Sequence, residues 1–220
     1  MAREDVNPAP GRPTLRQAQI AQTEERIIAA ATELFLADGY QNTTLEAIAK
    51  HAQVGARTVY LRFGTKAALF KRVVDTAIVG DTRPVDVLGR DWMQAALTAP
   101  TAAERIAASA AAGRQIMART GALFAVAQQA AAIEPLIAGH WQQGREQSRH
   151  AHAVFWTRMA EDGLLSPEAD LDWLIETTSV LAAAETYLLI TRVQRWDLDT
   201  YQDWLTITMT RLLSATTSGR

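Results

Sequence analysis

Two short stretches of helical periodicity, separated by only three residues, limit the fold of this chain more than any other feature. In the first stretch, apolar side chains recur on one helix face at Leu45, Ile48, Ala49 and Ala52. The second stretch runs roughly from Ala56 to Phe63, and the run Gln53 to Gly55 breaks the pattern between them. Two short helices joined by such a tight turn predict a helix-turn-helix unit at residues 44–63, whose second helix is thin enough to enter a DNA major groove.

Helix start and stop signals flank this unit on both sides. We predict a preceding helix that has Thr23 as its N-cap and that ends at Asp38-Gly39. A T-x-x-E capping box, Thr43 to Glu46, opens the first motif helix. Thr65 is the predicted N-cap of a fourth helix, and the stretch Gly80 to Pro84 follows that helix as a boundary between domains.

Longer helical segments follow this boundary. Thr101 to Glu104 forms another capping box, Gly163 ends a long segment, and Ser166-Pro167 predicts a cap followed by a proline in the first helical turn. The predicted helices cover roughly residues 85–98, 101–119, 121–131, 134–162, 167–194 and 198–214. Strand-like alternation is scarce, so the sequence predicts an all-α fold of about nine or ten helices.

Basic residues are concentrated around the motif, although the whole chain has a net charge of −2. Residues 1–80 contain ten Lys or Arg against eight Asp or Glu, whereas the remainder contains twelve against sixteen. Between residues 39 and 72 one acidic residue, Glu46, stands among six basic residues: Lys50, Arg57, Arg62, Lys66, Lys71 and Arg72. Such a patch is typical of a phosphate-binding surface, and a solvated basic face is the alternative interpretation.

The residue types that are missing narrow the classes of function. Without cysteine the chain has no disulfides, thiolate metal sites or thiol nucleophiles. Residues 1–22 lack the apolar core of a signal peptide, and the apolar runs elsewhere are too short to span a membrane. We therefore expect a soluble protein of the cytoplasm.

Enzymatic motifs are missing as well, because the sequence has no nucleophile elbow, no H-E-x-x-H pair and no phosphate-binding glycine loop. His140, His150 and His152 lie near Glu146 and could suggest a metal site. However, residues two apart point to different sides of a helix, and His140 is distant from the other two. The sequence thus predicts neither an enzyme nor a metal site, and no cofactor. A helical dimer that serves only as a protein adaptor is a further alternative, against which the local charge argues.

The motif region resembles the TetR family of bacterial transcriptional regulators over about residues 23–75. The similarity is carried by residues that keep the family's order and spacing: Arg26-Ile27-Ile28-Ala29-Ala30-Ala31, Leu34-Phe35, Gly39-Tyr40, Thr43-Thr44, Ile48-Ala49, Ala52, Val54, Thr58-Val59-Tyr60, Phe63, Lys66 and Leu69-Phe70. The resemblance implies a homodimeric repressor that binds a palindromic operator and is released by a small-molecule effector. It also implies a helix-turn-helix DNA-binding domain at residues 21–81 and a ligand-binding and dimerisation domain at 82–220, after a flexible arm at 1–20.

Residue roles in DNA binding follow from this resemblance, position by position. Thr44, Tyr60 and Lys66 match positions that contact phosphate, and the amide-rich start of a helix also favours an anion near Thr44. The base-facing or groove-lining positions are Gly55, Ala56, Arg57, Thr58, Leu61 and Arg62. The sequence departs from the family at Gly55, where serine is frequent as the helix cap. Arginine is the side chain best matched to a guanine edge, but which bases the two arginines read stays open.

Two further assignments leave alternatives open. Arg12 and Arg16 could enter a minor groove, as basic arms do, or they could belong to a disordered tail. The Tyr60 ring could instead be a half-buried aromatic group with a solvated hydroxyl.

All six tryptophans lie in the predicted second domain. Helical bundles hold ligands in apolar pockets with a few polar groups, so we expect a non-covalent effector that is apolar or amphipathic. The candidate contacts are Trp92, Met93, Met117, Phe124, Gln128, Trp141, Arg145, His152, Phe155, Trp156 and Tyr187. Residues of these types more often belong to the core or to an interface than to a ligand site, and His152 could donate to a ligand or to a buried carbonyl.

The last two predicted helices, about 167–194 and 198–214, have broad apolar faces that would be costly to expose. In the family such helices pair across a two-fold axis, and we expect the same four-helix dimer interface here. The symmetry would then place two operator half-sites about 34–36 Å apart, or an equivalent multiple, in successive major grooves.

Overall fold

The structure is a computed structural model that describes residues 14–82 and 86–215, so the predicted arm contact of Arg12 lies outside the described residues. Every regular element within those residues is helical, which confirms the predicted all-α fold. The helices are α1 (Leu15–Asn42), α2 (Leu45–His51), α3 (Ala56–Phe63), α4 (Lys66–Val79), α5 (Asp91–Thr98), α6 (Ala102–Ala131), α7 (Pro135–Glu161), α8 (Leu171–Leu181), α9 (Ala184–Leu189) and α10 (Leu198–Ala215). A π-helical turn, Ile190–Gln194, continues α9.

The first helix begins earlier than its predicted N-cap. Thr14 is the N-cap of α1 and forms a capping box with Gln17, in which the Thr14 backbone N–H donates to Gln17 Oε1 at 2.8 Å. Thr23 lies inside the helix, and its hydroxyl donates to the Gln19 carbonyl at 2.8 Å. The prediction of Thr23 as N-cap was wrong because the residues between the two threonines contain no glycine or proline to stop the helix.

The capping box predicted at Thr43 is also wrong, by one residue. Thr44 is the N-cap of α2, and its side chain accepts from the Ala47 N–H at 3.1 Å. Thr43 is buried and its hydroxyl donates to the Gly39 carbonyl at 2.8 Å, which ties it to α1. Glu46 therefore stands one position too early to close a box, and its carboxylate turns to another partner.

Helix boundaries in the second half differ from the prediction at several places. The predicted helix 85–98 starts only at Asp91, and the predicted break before residue 121 does not occur, since α6 is continuous through that point. The cap predicted at Ser166-Pro167 was wrong because Asp170 is the N-cap of α8 and accepts from the Trp173 N–H at 2.9 Å. The capping box at Thr101 is confirmed.

The predicted helix 167–194 is two helices that meet at a bend of 42°. α8 ends at Leu181, and Ala183, in extended conformation, is the N-cap of α9. Within the described residues no single helix is long and apolar enough to cross a membrane; only the bent pair Leu171–Leu181 with Ala184–Gln194 passes that test jointly.

The core of the first four helices continues into the second half of the chain. Its buried residues include four from α6 and α7: Leu123, Ala127, Ala130 and Ile137. Arg119 of α6 also reaches the end of α4, where its guanidinium donates to the carbonyls of Ala77 at 2.8 Å and Ile78 at 2.7 Å. Gly80 ends α4 with a left-handed φ of 92°. The helix-turn-helix part therefore shares both a core and a helix cap with α6.

Two further clusters fill the second half. One surrounds the fully buried Trp156, whose indole N–H donates to the Thr178 hydroxyl at 3.0 Å. The other surrounds Tyr201, which stacks edge-on against Tyr187 with ring centroids 5.1 Å apart. Gly121 of α6 lies directly against the Tyr187 ring, since a Cβ at Gly121 would stand 2.6 Å from Tyr187 Cε1. Gly121 is thus a point of close helix packing within the continuous helix α6.

Candidate nucleic-acid interface and ligand pocket

Helix α3 packs through Val59, which is fully buried, and presents its other side to solvent. Leu61 is 74% exposed and Tyr60 is 44% exposed, and Arg57 is exposed as well. Among the other predicted DNA contacts, Gly55 and Thr44 are exposed, whereas Ala56, Thr58, Arg62 and Lys66 are half-buried. The solvent-facing side of α3 is therefore an exposed surface of mixed polar and apolar character, which suits entry into a groove.

The two arginines of α3 have different surroundings. Arg62 lies 3.6 Å from a carboxylate oxygen of Glu24 on α1, and Arg72 of α4 donates to the same carboxylate at 3.0 Å. Glu24 thus draws Arg62 back toward the body of the domain. Within the described residues Arg57 makes no hydrogen bond or ion pair, so its guanidinium is available to a ligand. No local sequence pattern indicates the Glu24 contacts, because they join distant parts of the chain.

The turn between α2 and α3 is held from outside by Arg26 of α1. Its guanidinium donates to the carbonyl of Ala52 at 2.6 Å and to that of Gln53 at 3.2 Å. Gln53 has a left-handed φ of 54°, a conformation that costs a residue with a Cβ roughly 1–2 kcal/mol. The turn is therefore strained at one residue and stabilised by an arginine that was identified only as part of the family pattern.

We expect replacement of Gln53 by glycine to raise the free energy of unfolding by about 0.5–1 kcal/mol, because glycine adopts positive φ without steric cost. For a chain of this size, each kcal/mol of added stability raises Tm by about 2–4 °C. Thermal unfolding measures this rise. Gln129→Gly on the exposed side of α6 is the control and should lower Tm, since glycine disfavours helix. An unchanged or lower Tm for Gln53→Gly would show that the turn is not strained.

Tyr60 and Glu46 are joined across the surface that α2 and α3 form. The Tyr60 hydroxyl donates to Glu46 Oε1 at 2.5 Å. This hydrogen bond lowers the pKa of Glu46 and raises the pKa of Tyr60, so both groups keep their usual charge states at neutral pH. The Tyr60 ring is exposed to an extent that fits a contact surface, but its hydroxyl is already engaged.

Lys66 is held beneath this surface by the end of α1. Its ammonium donates to the carbonyls of Tyr40 at 2.7 Å, Thr43 at 2.9 Å and Gln41 at 3.3 Å, and it lies 4.3 Å from the centroid of the Tyr40 ring. Burial lowers the pKa of Lys66. These contacts fix the connection between α1 and α2, while the phosphate contact inferred for Lys66 stays a prediction.

The residues predicted to line an effector pocket are divided among several clusters. Met93, Phe155 and Trp156 pack with α8, whereas Met117, Phe124 and Tyr187 pack with α9 and α10. Trp92 is half-buried. Burial lowers the pKa of His152 to about 4, against a smaller opposing effect of the Ser148 backbone, so the imidazole is neutral at pH 7.

One predicted contact, Gln128, lines an open depression of about 380 Å³ between α6 and α9. The other lining residues are Glu185, Leu188, Leu189, Arg192 and Val193. Two more predicted contacts hold Glu185 in place, because the indole N–H of Trp141 donates to its Oε1 at 2.8 Å and Arg145 Nε donates at 2.7 Å. Burial would raise the pKa of Glu185, but the hydrogen bonds that it accepts lower it overall.

Apolar side chains remain exposed on the last helices. They are Trp173, Val180, Leu189, Val193 and Ile207. Two of them also line the depression beside α9, so the exposed apolar surface and the depression adjoin each other. Among the described residues no group of three His, Asp or Glu side chains is placed to hold a metal ion.

Comparison with known proteins places these features in context. The family model described as bacterial regulatory proteins, tetR family, matches residues 27–73. The HTH-type transcriptional regulator TcmR of Streptomyces glaucescens is 44% identical over 57 residues, and this match spans 26% of the chain and 25% of the relative. The sequence similarity to this relative thus spans only about a quarter of its length.

Solved structures match the fold over most of the chain. A TetR-family transcriptional regulator from Mesorhizobium loti has a TM-score of 0.65 at 19% identity, covering 89% of this chain and 96% of the other. NalD of Pseudomonas aeruginosa, the secondary repressor of the MexAB-OprM multidrug efflux pump, has a TM-score of 0.63 at 20% identity, covering 87% and 96%. SmeT in complex with triclosan has a TM-score of 0.65 at 17% identity, covering 86% and 90%. At these identities the similarity shows a shared fold.

Proposed function

This chain belongs to the TetR family of bacterial transcriptional regulators through its DNA-binding segment at residues 27–73, and from that premise we propose that it is a ligand-responsive repressor. It binds a palindromic operator as a homodimer and is released by a small-molecule effector. The observation that carries the proposal is the exposed side of α3, on which Arg57 has no partner within the described residues. An unpaired guanidinium on a protruding helix is suited to bidentate recognition of a guanine edge.

The dimer is supported by the exposed apolar side chains of α8, α9 and α10. Trp173 and Val180 of α8, Leu189 of α9 and Ile207 of α10 are exposed, and no helix among the described residues covers them. A self-complementary apolar surface of this kind is typical of two-fold interfaces. Sedimentation equilibrium of the purified protein is expected to give the mass of two chains, and Ile207→Glu is expected to shift it toward one.

Release by an effector requires that ligand binding in the depression beside α9 affect the end of α4, so the two must be linked by packed contacts. Two contacts of α6 make that connection: Gly121 packs against Tyr187 of α9, and Arg119 caps the last turn of α4. A ligand that displaces α9 would therefore act on the helix that supports the motif. This coupling rests on a contiguous set of packed contacts, which is the physical requirement for communication between sites.

The lining of the depression favours an amphipathic effector, since Leu188, Leu189 and Val193 are apolar while Glu185 and Arg192 are charged. Triclosan, the ligand in the SmeT complex, is a suitable first probe alongside other amphipathic aromatic compounds. Saturating binding should raise Tm and lower the affinity for operator DNA. The absence of both effects across such compounds, with DNA binding intact, would contradict the sensing half of the proposal.

Replacing Lys66 by methionine is expected to lower the free energy of unfolding by about 1–3 kcal/mol, because three carbonyls lose a charged donor. We also expect weaker binding to all duplexes alike, with the slope of log Kd against log salt reduced by about one unit. Thermal unfolding and titrations at several salt concentrations measure the two effects separately. Lys50→Met, an exposed lysine of α2, is the control for charge. A weakened affinity with an unchanged slope would assign Lys66 to anchoring the α1–α2 connection and not to phosphate contact.

A further inference from the structure

One carboxylate stands within the surface that α2 and α3 present for DNA. Glu46 occupies the second position of α2 and is exposed, and it is the sole acidic residue between residues 39 and 72 of the sequence. Its neighbours are groups that are expected to contact phosphate, because Thr44 is the N-cap of the same helix and the Tyr60 hydroxyl donates to the carboxylate at 2.5 Å. An acidic group is unexpected at this place on electrostatic grounds.

The chemistry of this carboxylate imitates that of a DNA phosphate. Both are anionic oxygen acceptors, and the Tyr60 hydroxyl has a single proton to donate. A hydroxyl that donates to Glu46 cannot at the same time donate to a phosphate oxygen. The hydrogen bond of Tyr60 to Glu46, followed by smaller contributions that include the Thr44 hydroxyl, also keeps the carboxylate ionised by lowering its pKa.

We propose that Glu46 is a built-in competitor for the DNA phosphate, which holds the Tyr60 hydroxyl in the free protein and must give it up when DNA binds. The proposal rests on the DNA contact of α3 proposed above and adds a residue that limits affinity. The same free-energy cost of binding applies to every duplex, because the phosphate must replace Glu46 as the acceptor of the Tyr60 hydrogen bond and must approach a fixed negative charge. Duplexes without favourable base contacts therefore bind weakly, and only an operator with such contacts compensates for the cost.

The charge-removing variant Glu46→Gln tests this competition. We expect it to raise the affinity for a duplex of random sequence about 5- to 30-fold, because one repulsive charge near a phosphate is removed. The slope of log Kd against log salt should steepen by about one unit, since one more phosphate is effectively neutralised. Glu161→Gln on α7, which changes the net charge equally, is the control and should alter neither quantity. Thermal unfolding of each variant establishes that it is folded.

Removal of the Tyr60 hydroxyl distinguishes two roles of Glu46: competition with the DNA phosphate, and positioning of Tyr60 for DNA. If Glu46 competes, Tyr60→Phe weakens DNA binding more in a Glu46→Ala background than in the wild type, since no acceptor at position 46 then holds the hydroxyl. If Glu46 instead positions Tyr60 for DNA, Glu46→Gln lowers affinity, and that result overturns the proposal. An unchanged affinity for random DNA overturns it as well. Failure of the proposed function would look different, because the wild-type protein itself would then show no salt-dependent binding to any duplex.

Discussion

Replacing Arg57 by alanine is expected to weaken binding to the preferred operator roughly 5- to 150-fold, which corresponds to about 1–3 kcal/mol. The reason is the position of this guanidinium on the exposed side of α3, where within the described residues it has no protein partner to lose. The variant should also discriminate less between base pairs at one position of each half-site. Because the exposed side chain makes no hydrogen bond or ion pair among the described residues, the free energy of unfolding should stay within about 0.5 kcal/mol of the wild type.

Titration of the variant against the operator and against duplexes with single base-pair changes measures this loss. Arg114→Ala is the matched control, since Arg114 pairs with Asp199 at 2.7 Å far along the chain and its removal changes the net charge equally. Arg62→Ala is a second comparison, and we expect a smaller effect because Glu24 already draws Arg62 toward α1. Unchanged discrimination between operators would remove Arg57 from the residues that read bases.

Replacing Gly121 by alanine is expected to lower the free energy of unfolding by about 1–3 kcal/mol, although alanine is the better helix former. A methyl group there would stand 2.6 Å from Cε1 of Tyr187, and this ring is itself buried against Tyr201. The expected fall in Tm is about 2–4 °C per kcal/mol. If α6 carries the signal between the depression and α4, the variant should also bind the operator more weakly than its loss of stability explains.

Gly113→Ala on the same helix is a sharp control. Its Cβ would lie 3.6 Å from Leu205 Cδ1, which is an ordinary contact, so the gain in helix propensity should keep or raise Tm. Similar changes in Tm for the two variants would show that Tyr187 moves aside without cost. A normal operator affinity in a destabilised Gly121→Ala variant would argue against coupling through this contact.

Local chemistry explains what could be predicted from the sequence. Thr65 and Thr101 cap helices because a threonine side chain satisfies the free N–H groups of the next turn, and Gly80 ends a helix because it accepts a left-handed φ. These signals act over three or four residues, so the order of the helices is readable. The short range of these signals also explains the wrong N-cap predictions. Thr14 and Asp170 are the N-caps, although the local sequence at Thr23 and Ser166 is equally suited to that role.

The site depends on contacts that no local pattern contains. The carboxylate of Glu24 reaches Arg72, Tyr60 reaches Glu46, and Glu185 accepts from Trp141 and Arg145. Each pair joins different helices, and its partners are decided by how those helices pack. The family resemblance predicts which residues face DNA, but it could not indicate that a carboxylate holds the hydroxyl of one of them in the free protein.

Selection of bound duplexes from a random pool is the most direct test of the central claim that this chain is a dimeric operator-binding protein. We expect enrichment of an inverted repeat whose half-site centres lie about 34–36 Å apart or at an equivalent multiple, with binding that weakens as salt rises. The Arg57→Ala protein should lose preference at one base pair in each half-site. A pool that shows no enriched sequence, or a single half-site without two-fold symmetry, would contradict the account.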